Sequence, residues 1–258
     1  MILQHSELLM EEGNHFIGAG DTGCMVAAEL CRIYKGMREG LFQAEQDRPH
    51  NHLHIHCYPC AAKVCFDDKD HLVILGGSLS EPDLRDARDA FRDKHPYLMS
   101  TVATDYRKVM NTGGYRALPD ECLIFPDAVH CAPVKLAQLV LQIFLIHTPW
   151  YISTRGSLVG YDLADTKAIF AGKTAKVITM TSDKVHYKKH FLKLLNTHRS
   201  GLGQTQGVLA SFWGLDLRDM NNLRLKVSRL LTDADVVFTL HDLPDDESHI
   251  KATLFYTL

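Results

Sequence analysis

The stretch Pro133–His147, PVKLAQLVLQIFLIH, is apolar on almost every side. A helix of that kind has no wet face to offer. It has to be surrounded, so the rest of the chain has to build layers around it. Its apolar part, Leu136–Ile146, is about eleven residues long and too short to cross a bilayer, which takes ~20. A buried central helix is therefore expected. The chain can supply the layers: of its 258 residues, 46% are hydrophobic and 23% charged, a globular composition that excludes disorder as the main state. The net charge of -3 argues against a broad nucleic-acid footprint. Seven cysteines, an odd number in a chain this large, read as reduced thiols of a cytoplasmic protein. The first residues, MILQHSELLMEEGNHF, lack a basic stretch followed by an apolar one, so no secretory leader is expected.

Before the central helix, strand and helix patterns alternate. HFIGAG (His15–Gly20) is a short apolar strand running into glycines, and DTGCMVAAELCRIYKG has helical spacing, with Gly36 placed to cap it. HLHIHCYPC (His52–Cys60) alternates as a strand, and HLVILGG (His71–Gly77) reads as a buried one. PDLRDARDAFRDK is a helix with Pro82 at its start and Leu84, Ala87 and Phe91 inward. YLMSTVAT and CLIFP are further strands. This alternation predicts an α/β fold with a mainly parallel sheet. After Gly156 come a short helix from Leu163, a strand from Ala175, an amphipathic helix (His186–His198), a strand (Gly207–Gly214) and a second amphipathic helix (Leu217–Leu231). Two last alternating runs, ADVVFTLHD and HIKATLFYTL, bracket an acidic turn and suggest an antiparallel hairpin. The expected division is a Rossmann-like domain over 1–132, the central helix and a connector over 133–156, and a second α/β domain with a mixed sheet over 157–258.

The order of these elements resembles the tubulin/FtsZ superfamily. SLVGYDLADTKAIFAGKTAKVITMT (Ser157–Thr181) is similar to the loop, helix and strand that open the second domain of FtsZ, with Asp162 and Asp165 in the family's Asn-x-Asp-x-x-Asp pattern. The run from Gly207 to Leu258 resembles the end of the FtsZ core. FIGAGDTGCMVAAEL resembles the family's first nucleotide loop: Gly18, Gly20 and Gly23 fall on family glycines, while Asp21 replaces a small residue. HLVILGG matches the strand before the family's GGGTGTG-type loop, but here Gly76, Gly77, Ser78, Leu79 and Ser80 follow. The family's Thr-Lys-Pro-Phe-type stretch with its Arg is reduced to Thr104-Asp105-Tyr106-Arg107. Where the central helix should offer Asp or Asn to a guanine base stands Val140, with Gln138 and Gln142 as the nearest polar residues.

The resemblance implies a shortened FtsZ-like cytoskeletal protein that self-associates head to tail. Gly18, Gly20, Asp21, Gly23, Gly76, Gly77, Ser78, Ser80 and Arg107 would line a degenerate GTP/GDP pocket with Mg, and Asp162 and Asp165 would complete catalysis in the next subunit. Any GTPase activity would then be weak and confined to the polymer. The chain would reach a membrane only through a protein adaptor. The residues keep other readings open. Backbone N–H groups at the Gly18–Gly23 turn favour an anion, yet the glycines can serve a structural turn, and Asp21 would repel a phosphate. Asp162 and Asp165 also suit a helix cap. The missing GGGTGTG run favours an alternative, a pseudo-GTPase assembly or adaptor module that binds no nucleotide. A third reading has the alternating His50, His52, His54 and His56 bind a metal, although same-face strand residues sit ~7 Å apart, too far for all four to meet at one ion. His186 and His190 stand at i,i+4, a ligand spacing, on a lysine-rich face where solvated rings are the plainer expectation.

Overall fold

The computed structural model describes residues 8–9, 14–41, 53–59, 64–65, 72–78, 82–92, 97–102, 116–126, 132–147, 163–231, 233–241 and 249–258. The chain divides into two compact units, Met1–Phe144 and Leu145–Leu258.

In the first unit, β1 (Leu8–Leu9) pairs with β4 (Val64–Cys65) as a small parallel sheet. The main strands are β2 (Asn14–Gly18), β3 (Leu53–Cys57), β5 (Leu72–Gly77), β6 (Tyr97–Val102) and β7 (Glu121–Pro126). They form a wholly parallel sheet in the order β7-β6-β5-β2-β3. Parallel strands need crossovers, which helices supply. Helix α1 (Gly20–Leu41) joins β2 to β3, and α2 (Pro82–Arg92) joins β5 to β6. Buried on both faces, β5 reads as the continuous apolar run LVILGG. Ile17, Val73, Leu75, Leu123 and Phe125 pack with Leu84, Ala87 and Phe91 of α2, the inward residues that helical spacing predicts. The helix starting at Gly20 does not stop at Gly36 as the C-cap pattern suggests; it continues to Leu41. An interior glycine costs a helix about 1 kcal/mol, which neighbouring turns can absorb. The apolar stretch is helix α3 (Pro133–His147), with Leu136, Val140, Ile143 and Phe144 buried and the Phe144 ring edge-on to Tyr34 of α1 at 6.0 Å.

The second unit holds α4 (Leu163–Phe170), β8 (Lys173–Ser182), α5 (Tyr187–Thr197), α6 (Arg199–Leu202), β9 (Gly207–Trp213), α7 (Leu217–Leu230), β10 (Asp235–His241) and β11 (Ile250–Thr257). Its strands run in the order β10-β9-β11-β8. The antiparallel hairpin expected of the last two strands does not form. β10 pairs in parallel with β9, and β11 inserts between β8 and β9, antiparallel to both. The α7 crossover makes β9-α7-β10 a parallel unit, and the nearly wholly buried β11 takes the sheet interior, leaving the partly exposed β10 at the edge. Tyr187, Phe191 and Leu195 of α5 and Met220, Leu223 and Val227 of α7 close one core with Phe212 and Leu254. The Asp216 carboxylate accepts the Asp219 N–H at 2.7 Å and caps α7.

Candidate functional site

Strand β2 feeds α1 and then β3 on one side, whereas β5, the next strand of the main sheet, lies on the other side of β2. The strand order therefore reverses between β2 and β5. In open α/β sheets the crevice beyond the carboxyl ends at such a point is where ligands bind. The Gly18–Gly23 turn and the Gly76-Gly77-Ser78 turn meet there.

The glycines are needed because three backbones converge. A Cβ on Gly18 would lie 2.2 Å from the Gly23 carbonyl oxygen, and one on Gly23 would lie 2.3 Å from the Gly76 oxygen and 2.7 Å from the Gly18 carbonyl carbon. A Cβ on Gly77 would lie 2.8 Å from the Ala19 oxygen. Gly20, at φ 67°, opens α1 in the left-handed region that suits glycine. Hydrogen bonds fix the arrangement: Ala19 N–H donates to the Gly76 oxygen at 2.8 Å, Gly23 N–H to the Ala19 oxygen at 3.2 Å, and Tyr58 N–H to the Gly18 oxygen at 2.9 Å.

The first-turn N–H groups of α1, those of Gly20 and Asp21 among them, precede any intrahelical partner and carry the positive end of the helix dipole. Into that field the chain sets the exposed Asp21 carboxylate. A second carboxylate, Asp83 in the first turn of α2, acts on the same region, because its charge and that of Asp21 both raise the Cys24 thiol. Burial is the largest cause there, followed by the neighbouring Cys57, and together they push that thiol up to about 11. Among the described residues, Asp21 and Asp83 thus set negative charge beside the turn.

The structure thus brings Gly18, Gly20, Asp21, Gly23, Gly76, Gly77 and the half-buried Ser78 together. Ser80, Arg107 and Asp162 lie outside the described residues, as do His50 and His52. Asp165 is exposed in the first turn of α4, in the second unit. Val140 is buried in α3, and Gln138 accepts a hydrogen bond from Lys135 Nζ at 3.3 Å. Sequence reasoning missed Tyr58, Cys24 and Asp83. The parallel register that sets Cys57 beside Gly18 brings Tyr58 to the turn, and register is not written in a local motif.

Beside the turn, β2 and β3 stack three imidazoles. His15 lies 4.9 Å from His54 and 6.3 Å from His56, and His54 lies 6.5 Å from His56, with ring planes within 21° of parallel. Among the described residues no group of three or more His, Cys, Asp or Glu is arranged to hold a metal. His56 Nε2 is buried with no hydrogen-bond partner among the described residues, and burial, then the charge of His54, pushes its pKa below the ordinary imidazole value of 6.5. The unfolded chain therefore binds the proton more readily than the folded one. The contribution is intact above pH ~6.5 and is lost as the pH falls below it towards the folded value, by at most about 1.4 kcal/mol per pH unit for one proton. Urea unfolding between pH 7.5 and 5 should show this loss, with a shallower slope for His56→Gln; equal slopes would refute it.

No family model matches the chain, and no curated protein sequence does. Its fold does match a solved one. CetZ from Methanosaeta thermophila strain DSM 6194 superposes with a TM-score of 0.58 over 96% of this chain and 87% of that one, at 11% identity. The fold is tubulin/FtsZ-like. Among the described residues no helix is long and apolar enough to cross a membrane.

Proposed function

We propose that this chain is an FtsZ-like cytoskeletal protein that self-associates head to tail around a degenerate GTP pocket. The observation that carries the reading is the meeting of two glycine turns at the strand-order reversal beside β2, under the N-terminus of α1. The tubulin/FtsZ-like fold supports it. In this reading Gly18, Gly20, Gly23, Gly76, Gly77 and Ser78 face the nucleotide, Mg accompanies it, and Asp162 and Asp165 of the adjoining copy complete hydrolysis.

Specific observations favour a second reading, an assembly module that binds no nucleotide. Each glycine whose Cβ clash is given above is explained by backbone packing alone. The Ala19 N–H is committed to Gly76, and Asp21 and Asp83 supply negative charge where a phosphate would need positive.

Calorimetric titration of tag-free, nucleotide-stripped protein with Mg-GTP separates the two. Binding at a Kd of about 10 μM or tighter, near 7 kcal/mol, together with light scattering that rises on GTP addition, is the result expected of the first reading. Scattering that is independent of GTP, with no heat of binding, would overturn it in favour of the second.

A further inference from the structure

We propose that His186 and His190 form a two-imidazole site for a divalent transition-metal ion. The two residues stand one helical turn apart at the start of α5, where Cβ atoms i and i+4 lie about 5–6 Å from each other. Both side chains are exposed, and their rings sit 6.1 Å apart with planes 26° from parallel.

Each ring is held by its Nδ1. The His186 Nδ1 lies 3.0 Å from both carboxylate oxygens of Asp183, and the His190 Nδ1 lies 2.7 Å from Ser182 Oγ. Asp183 is itself fixed, because one carboxylate oxygen accepts the N–H groups of Val185 at 2.9 Å and His186 at 2.7 Å. Ser182 is buried at the end of β8. An aspartate carboxylate is ionised at neutral pH and only accepts. The proton of a neutral His186 therefore sits on Nδ1, and its Nε2 lone pair faces outward. The Ser182 hydroxyl can accept in the same way, which frees Nε2 of His190. A carboxylate or hydroxyl behind each imidazole is the outer-shell arrangement that fixes tautomer and ring direction in metal-binding histidines.

The donor atoms select the ion. Lys184, Lys189 and Lys193 are exposed nearby, and Lys188 is paired with Asp219 at 2.9 Å. That charge opposes any divalent cation alike, so the choice falls to the two imidazole nitrogens, which do not suit Mg2+ and Ca2+, ions that bind through oxygen. That leaves ions that bond strongly to imidazole, in the order that favours Cu2+ and Ni2+. Water would complete the coordination.

Ni2+ is the probe, because it does not oxidise thiols. The chain carries fifteen histidines and seven cysteines, so the informative quantity is the difference between variants. Tag-free wild type titrated calorimetrically should take up one equivalent of Ni2+ that both His186→Ala and His190→Ala lose. Asp183→Asn should keep that equivalent and weaken it about tenfold. With Zn2+, side-chain nitrogen NMR should place the coordination shift on Nε2 of these two rings. Because both histidines are exposed, the variants should fold, and far-UV circular dichroism checks this. Unchanged uptake by His186→Ala and His190→Ala, or no uptake by the wild type, would overturn the proposal. Unchanged affinity in Asp183→Asn would overturn the positioning role of Asp183.

Discussion

Replacing Gly23 with alanine should destabilise the first unit by about 3 kcal/mol or more, a large share of the roughly 5–15 kcal/mol that holds a typical domain folded. The added methyl carbon would lie 2.3 Å from the Gly76 oxygen and 2.7 Å from the Gly18 carbonyl carbon. Both obstacles are backbone, and both sit on strands held on each side by neighbours, so neither can swing aside as a side chain would. Relief would require α1 to lift from β2 and β5, which would break the Ala19 bond to Gly76 and uncover Val26, Ala27 and Leu30. A contrast sharpens the expectation. Gly203 has φ -70° and its nearest obstacle, the Arg199 oxygen, is 3.2 Å from a built Cβ, so Gly203→Ala should stay within about 1 kcal/mol of wild type. Urea midpoints read at constant m-value make the comparison. Equal midpoints for the two variants would show that the glycine turn is not close-packed.

Glu121→Ala should cost about 3–5 kcal/mol, the usual result of stranding one member of a buried ion pair. Glu121 opens β7 with its side chain 0% exposed, and it faces Arg88 of α2, whose side chain is 8% exposed. Arg88 Nε donates to one carboxylate oxygen at 2.8 Å and Nη2 to the other, while Nη2 also donates to the Arg116 oxygen at 2.9 Å. The Leu118 N–H donates to the same carboxylate at 2.9 Å. Removing the carboxylate leaves a guanidinium in a place without water and a backbone N–H without its acceptor. The pair Arg88→Met with Glu121→Leu should cost far less than the sum of its single changes, since apolar replacement of a whole buried pair is often neutral. A double-mutant cycle in urea measures the coupling. Single variants that lose less than about 1 kcal/mol would mean that the pair is hydrated in solution.

Much of the fold was legible in order and type. The apolar helix at Pro133–His147, the inward face of α2 and the strand preceding Gly76 follow from periodicity, because burial on one face or on all faces leaves a local imprint. Turn chemistry marked the Gly18–Gly23 segment equally well. What the turn is for was less legible. A glycine needed for a ligand and a glycine needed for backbone contact look alike in one chain, and only the distances among Gly18, Gly23 and Gly76 reveal the packing demand.

Pairing, in contrast, was decided in three dimensions. The alternation of β10 and β11 is what a hairpin would also have, yet β11 lies between β8 and β9, because a crossover helix had already committed β10 to a parallel edge. The ion pair of Arg88 with Glu121 joins residues 33 positions apart, and neither neighbourhood hints at the other. The same holds for His190, whose i,i+4 spacing from His186 is plain in the sequence, while the Ser182 hydroxyl that orients it arrives from the end of β8. Local free energies such as propensity, capping and burial periodicity are written residue by residue, so the sequence by itself determined the elements. Register, convergence of backbones and partners for buried charge depend on which distant segments the packed layers bring into contact, and these only the tertiary structure decided.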